Sequence, residues 1–525
     1  MSQKKQSAIP LPASPERAWR AHALPLLVLF GLVLLISLTT LFGPFYRGDY
    51  GYDAGIFASV GLAMRNGRVL YTEVWENKGP LLYVIQLAGI SVHYWHGIYL
   101  LELLSLCVTA FFAYRTALLV TKGSRWVSAM AAGFPLLLLA FTLEHGNLSE
   151  EYALPFICAA LYFTAKFFFQ QYRLKAPEVI VVGMCFAAVF LLRANICAFF
   201  LAMIAVGAVL LIRDKKWNIL LRTAGLALAG VVLFVLPFAV YLIANNAWRE
   251  CLFTAYLNIM GDFARPGAVQ IFKAAASMVF RSVPSGAPFL ALVFLIRFAL
   301  GLKRKSFKDS GLKAMLWICA VGLPLNFAAS GLMGFDQMHY FMPFVPILII
   351  PAAWLLHTLH GLLRRSLKKE APTVLVLCAV VLFGSMGGLH RISLDAMSNL
   401  QSALHPKPDL AVEFVWANTE PNDCIQVFGG LGGSSLHYRS QRLSASKHLY
   451  FWGDGNFTAE KAKENANIIA ADCYANPPKL ILFGEGQMER FFALLEDEPA
   501  FGRFLREEYA LREDAELTHA VYERI

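Results

Sequence analysis

Runs of about 20 apolar residues recur from Ala23 to His390, whereas from Arg391 onward no run is long enough to span a membrane. The chain therefore reads as a polytopic α-helical membrane protein with a small soluble domain behind it. Spans are expected near 24–42, 98–120, 126–142, 152–170, 178–192, 195–212, 221–243, 284–302, 313–331, 338–358 and 371–389, about eleven in all. In the tail the period changes. CIQVF, KLILFG and HAVYERI read as short strands, and FTAEKAKENANIIAA and the charged stretch 487–512 as helices, an α/β pattern. Three parts follow: 1–23, 24–390 and 391–525.

The segment 79–96 is apolar enough for a twelfth span, and counting it would reverse every later loop. Basic residues decide between the two topologies. With 79–96 as a juxtamembrane or re-entrant helix, Lys122 and Arg125, Arg173 and Lys175, and the clusters at 213–222, 303–313 and 364–369 all share one side. The positive-inside rule makes that side cytoplasmic, together with residues 1–23, and the tail extracytoplasmic, in a multi-pass plasma or inner membrane protein. Lys4, Lys5, Arg17 and Arg20 precede the first run and no small-residue cleavage site follows it, so it reads as an uncleaved anchor.

Composition agrees. The 525 residues are 57% hydrophobic and 16% charged, too apolar for a soluble domain of this length. The net charge of +10 divides unevenly: from Arg391 onward 13 Lys and Arg face 20 Asp and Glu, a balance of −7, leaving +17 on the membrane part. That asymmetry speaks for orientation at membrane lipids and against a nucleic-acid partner. Seven of nine cysteines lie in or beside apolar runs as small hydrophobes; Cys424 and Cys473 could pair in an oxidising compartment.

The acids then gather on the outer side: Asp49, Asp53, Glu73, Glu76, Glu144, Glu150, Glu151, Glu250, Asp262 and Asp336. Five elements there carry candidate chemistry. In RGDYGYDAGIF, Asp49 and Asp53 share a face if the segment is helical. The run from Ala54 to about residue 66 reads as an amphipathic helix lying flat, offering Ile56, Phe57, Val60, Leu62 and Met64 to lipid. Asp53 is either a helix cap or a working carboxylate. In WENKGPLLY, Pro80 opens a helix, with Glu76 just before it and Lys78 at its mouth as snorkelling anchor or anion ligand.

In HGNLSEEYALPF, Glu150 and Glu151 within one turn exceed what a cap requires, and His145 reads as an interfacial residue. Arg193 interrupts an apolar stretch at a short outer turn, and His339, with Tyr340 next to it, begins a span beside Asp336. Asn147 and Asn456 each start a glycosylation sequon, of consequence only in a eukaryotic secretory host. GGLGGSS at 429–435 lacks the third glycine of a dinucleotide loop and no fitting helix is expected after it, so it reads as a turn.

In order, YDAGIF, WENKGPLLY, GNLSEEYALPF, LLRANI and HYFMPFVP resemble the bacterial glycosyltransferase family 39 relatives of the GT-C superfamily, over residues 24 to 360. That group includes protein O-mannosyltransferases and aminoarabinose transferases. The resemblance implies a membrane transferase of GT-C type that uses a polyprenyl-phosphate sugar, with its active site on the outer face and an acid of the first outer loop at the centre. By position, Asp53 matches that acid, Glu76 to Pro80 the acid-x-Lys-Pro-Pro-like segment, and Glu150/Glu151 the second-loop acid. Gly79 stands where aminoarabinose transferases have a first proline, and Arg193-Ala194-Asn195 where a Lys/Arg-Pro turn is common. The sugar (hexosyl or pentosyl), the acceptor (glycan, lipid-linked or protein) and the inverting or retaining outcome are accordingly unassigned.

An activated donor needs a base for the acceptor hydroxyl and cations for the departing phosphate. Asp53 is the expected base, Lys78, Arg193 and His339 the phosphate ligands, and Glu150 or Glu151 orients the acceptor or a metal. Asp49, Glu76 and Tyr340 are secondary candidates. One His and scattered carboxylates fix no metal geometry, so no cofactor is assigned and a divalent metal ion stays an open candidate. The alternative is a transporter or flippase of lipid-linked saccharide, which calls for internal repeats and midplane acids that the chain does not display.

Overall fold

The computed structural model describes residues 15–46, 48–257, 266–429, 433–451, 457–512 and 519–525. Lys4, Lys5, Arg47, Asp262 and Asn456 lie outside the described residues. The membrane part opens with α1 (Pro15–Ser37), α2 (Tyr52–Arg65), α3 (Pro80–Val92), α4 (Gly97–Val120), α5 (Arg125–Leu136) and α6 (Leu139–Thr142). It continues with α7 (Ser149–Phe169), α8 (Ala176–Leu192), α9 (Ala198–Arg213) and α10 (Trp217–Ala244). Among the described residues, seven helices are long and apolar enough to cross a membrane, or nine if the bent pairs within 268–303 and 370–404 each count once. The spans expected at 24–42 and 178–192 correspond to shorter apolar helices, 22–37 and 176–192, and α3 belongs to the same class. This is a multi-pass membrane protein. Leu228, Val232, Leu236 and Val240 of α10 stay exposed, as lipid-facing positions do.

In the tail, β1 (Cys424–Phe428), β2 (Leu443–Ser444), β3 (Leu480–Gly484), β4 (Tyr509–Arg512) and β5 (His519–Arg524) form one sheet in the order β2-β1-β3-β5-β4. β1 and β3 run parallel with Ile425 opposite Leu480; β5 runs antiparallel to β3 and β4. The three expected strands are present. The expected helix 487–512 is instead two helices, Gln487–Phe492 and Glu498–Glu508, ending in edge strand β4. Only Tyr509 of β4 is buried, so no alternation marks it. Cys473 is buried under the sheet, and both it and Cys424 are free thiols.

Two expectations are corrected where the tail meets the membrane part. A helix, Gly433–Ser440, opens inside the glycine-rich segment, whose residues 430–432 lie outside the described residues, and it packs on α2. α2 therefore offers no face to lipid: Ile56, Phe57, Val60 and Leu62 are buried between α3 and the tail helix. Gly55 marks the crossing, since a Cβ there would stand 2.4 Å from Cβ of Ser435. Beyond α3, Tyr94 donates to the Tyr438 carbonyl at 2.5 Å, Tyr438 returns a hydrogen bond to the Tyr94 carbonyl, and the two rings stack 4.9 Å apart.

The loop before α3 is tied to the tail as well. The Trp75 amide donates to the Lys447 carbonyl at 2.9 Å, and the Trp75 and His448 rings lie 4.9 Å apart. Burial, then the charges of Lys447 and Lys461, hold His448 down to about 3. The unfolded state, with a His pKa of about 6.5, takes up the proton first. Stability contributed by neutral His448 is thus full above about pH 6.5 and falls on acidification, by at most about 1.4 kcal/mol per pH unit. Melting followed from pH 7.5 to 5 should show this slope, and His448→Gln should flatten it; an unchanged slope would place the titration elsewhere.

Candidate active site

Asp53 stands in the first turn of α2, where the helix dipole favours a carboxylate. It is not the cap. Gly51, with φ 74°, holds that position and no side chain caps the helix. Because the helix starts at Tyr52, Asp49 is not on it and shares no helical face with Asp53; Asp49 instead accepts a hydrogen bond from Ser435 of the tail. Asp53 is half-buried, no described side chain donates to its carboxylate, and it lies within electrostatic reach of Arg193, His339 and Tyr83.

Lys78 reaches the same face of α2. Its ammonium lies 5.6 Å from the centroid of Phe57, one turn beyond Asp53, and donates to Oδ1 of Asn77 at 2.7 Å. Pro80 opens α3 as its pattern predicts, and Gly79 sets where that helix begins. The Gly79 amide donates to the Leu192 carbonyl at 3.1 Å, and a Cβ at this glycine would lie 2.1 Å from the Leu191 carbonyl oxygen. The residue that departs from the double proline thus seats the Lys78 turn directly on the end of α8, beside Arg193.

Arg193, extended at φ −168°, separates α8 from the 3-10 turn Ala194–Cys197. Its guanidinium pairs with Oε1 of Glu150 at 2.6 Å and lies 4.4 Å from the centroid of Tyr340. Ser149 donates to the other Glu150 oxygen at 2.8 Å. His339, edge-on to Tyr340 with centroids 4.4 Å apart, binds Glu144 through Nδ1, and the Met338 amide donates to the second Glu144 oxygen at 2.7 Å. Burial alone would raise Glu144; these hydrogen bonds and the His339 charge outweigh it and hold the carboxyl below its ordinary value.

Glu144 belongs to a feature that pattern reading does not reach. Glu144, His145, Gly146 and Asn147 have φ of 42°, 83°, 88° and 55°, four left-handed residues in succession, three of them not glycine. The turn is held by the Leu41 amide on the His145 carbonyl at 2.7 Å and by the Asn147 amide on Glu102 at 2.5 Å. Asn147, the sequon asparagine, is wholly buried. Its Nδ2 donates to the Ala54 carbonyl at 3.1 Å and to Gln86 at 3.0 Å, while its Oδ1 accepts from Gln86 at 2.6 Å and Tyr152 at 2.9 Å. One turn therefore orients His339 through Glu144 and the start of the Asp53 helix through Asn147.

Of the expected site residues, Asp53, Lys78, Glu150, Arg193, His339 and Tyr340 converge, and Glu144 joins them. Glu151 does not; it is buried against Glu102 of α4, and no cation reaches either carboxylate among the described residues. Glu76 is occupied by Tyr83, by Tyr450 at 3.5 Å and by the Lys78 amide at 3.2 Å. His145 is exposed, and Asp336 sits with Ser277 and Arg281 instead of His339. Among the described residues no three His, Cys, Asp or Glu side chains are grouped to hold a metal ion.

A family model described as the putative competence-induced protein Ccs4 N-terminal domain matches residues 15–383. No curated protein matches. Among solved structures, ArnT from Cupriavidus metallidurans bound to undecaprenyl phosphate superposes with a TM-score of 0.59 at 12% identity, covering 98% of this chain and 99% of that one. The apo state of the same protein gives 0.57 at 13% identity with the same coverage. The architecture is thus the GT-C fold, as the resemblance implies, with helices through the membrane part and a small sheet at the C-terminal end.

Proposed function

This chain belongs to the family of the putative competence-induced protein Ccs4 N-terminal domain, and from that membership together with its GT-C fold we propose that it transfers a sugar from a polyprenyl-phosphate donor to a hydroxyl acceptor. One observation carries the reading: Asp53, a carboxylate to which no side chain donates among the described residues, lies within electrostatic reach of two buried side chains, Arg193 and His339, at one end of a membrane bundle. The undecaprenyl phosphate bound by the ArnT neighbour supports the donor class. The distribution of basic loops supports an extracytoplasmic position for this end.

In the proposed step the acceptor oxygen bonds to the anomeric carbon, the bond from that carbon to the phosphate oxygen breaks, and the hydroxyl proton passes to Asp53. Lys78, Arg193 and His339 take the charge that grows on the polyprenyl phosphate. Glu150 and Glu144 are positioning residues: the first holds the Arg193 fork over Tyr340, the second fixes the His339 ring. Glu151 takes no part in this scheme.

The test uses purified full-length protein in lipid vesicles with a polyprenyl-phosphate hexose or pentose and a membrane glycan fraction. Release of polyprenyl phosphate coupled to acceptor glycosylation is expected. Movement of intact donor between leaflets without bond cleavage would make the protein a flippase and end the transferase reading. In cells, an impermeant thiol reagent should label a cysteine placed at exposed His145 and spare one at exposed Lys122; the reverse would invert the topology.

A further inference from the structure

At the end of the bundle away from the site, a cavity of about 340 Å³ opens between α1, α4 and α7. Glu102 and Glu150, near the starts of α4 and α7, mark the site end; Arg115 and Tyr162 lie 13 and 12 residues further on. At 1.5 Å per residue that is roughly 20 Å along the bundle. The cavity is divided in character. His22, Arg115 and Tyr162 supply polar groups, and Leu26, Phe111 and Leu118 an apolar wall. Leu24, Leu27 and Val28 of α1 beside it are exposed to lipid.

Arg115 is the anomaly. It stands in the apolar last half of α4, five residues before the helix ends, and no carboxylate pairs with it among the described residues. Its guanidinium donates to the Tyr162 hydroxyl at 2.9 Å and lies 5.3 Å and 5.9 Å from the centroids of Tyr162 and Phe111. One of five N–H donors is thereby used, and the two rings fix the plane of the rest. His22 Nδ1 is 2.7 Å from the Tyr114 hydroxyl, and both groups lie within electrostatic reach of Arg115 and Arg125. An arginine near the end of a span, with no carboxylate partner among the described residues, is suited to an anion, and a fixed planar fork suits a phosphate.

We propose that the cavity between α1, α4 and α7 binds an anionic phospholipid, its phosphate on Arg115 with His22 alongside and its acyl chain on Leu26, Phe111 and Leu118. The lipid is a resident of the fold, separate from the polyprenyl-phosphate reaction, so the inference stands or falls independently of the proposed transfer. The test is native mass spectrometry of the full chain released from micelles holding phosphatidylglycerol or phosphatidylcholine. The wild type should retain phosphatidylglycerol over phosphatidylcholine by about five-fold, and Arg115→Gln should abolish the preference. Leu118→Trp, which keeps the charge and fills the space, should also lose the lipid, so the result does not hang on one variant's folding. Equal retention by wild type and Arg115→Gln, or no preference between the two lipids, would overturn the proposal. Displacement of phosphatidylglycerol by inorganic phosphate would overturn it as well, in favour of a free-anion site.

Discussion

Replacing Asp53 with asparagine should lower sugar transfer by about 10²- to 10⁴-fold, the range a positioned general base contributes. The carboxamide has nearly the same shape, and Asp53 neither caps α2 nor accepts a hydrogen bond from a described side chain, so the fold should not depend on its charge. Because the proposed scheme assigns the donor phosphate to other groups, the loss belongs in kcat with the donor KM little changed. Single-turnover release of polyprenyl phosphate, with thermal melting in detergent as the folding control, measures both. Wild-type turnover in Asp53→Asn would remove the residue from the mechanism.

Arg193→Ala should produce two separable defects. Glu150, only 2% exposed, would lose its guanidinium partner while keeping the Ser149 hydroxyl and His339 within electrostatic reach, and breaking a buried pair costs about 3–5 kcal/mol. The second defect is a raised donor KM, larger than any change in the acceptor KM. Combining Arg193→Ala with Glu150→Gln should recover most of the melting temperature, since no buried charge is then unpaired, without recovering donor affinity. Donor and acceptor KM rising together in the double variant would reduce Arg193 to a structural residue.

Much of this arrangement is legible in the chain because it rests on local or additive signals. Apolar residues add up over whole spans, Pro80 fixes a helix start by its own chemistry, and CIQVF or KLILFG need little beyond their apolar runs to pair. Features that failed to show depend on residues far away. The apolar face of α2 looks like a lipid-facing stripe until Ser435 closes on Gly55. Glu102 is a single acid near the start of α4, unremarked without Glu151 opposite it. Glu144 and Asn147 occur in a turn whose left-handed backbone no glycine pattern announces, since only Gly146 of the four is glycine. The acids Glu150 and Glu151 are neighbours in the chain, yet helix geometry sends one to Arg193 and the other to the α4 interface.

The crossing of Gly55 and Ser435 also has a consequence for how the protein is made. The partner that covers α2 is translated some 380 positions after it. At ribosomal speeds of 5–20 residues per second, the nascent chain carries that helix uncovered for about 20–80 s. Throughout that interval Asp53, the proposed base, has been synthesised and the tail helix that packs on its helix has not. The crossing therefore forms only once the tail has been translated and folds onto a helix that emerged some 380 residues earlier.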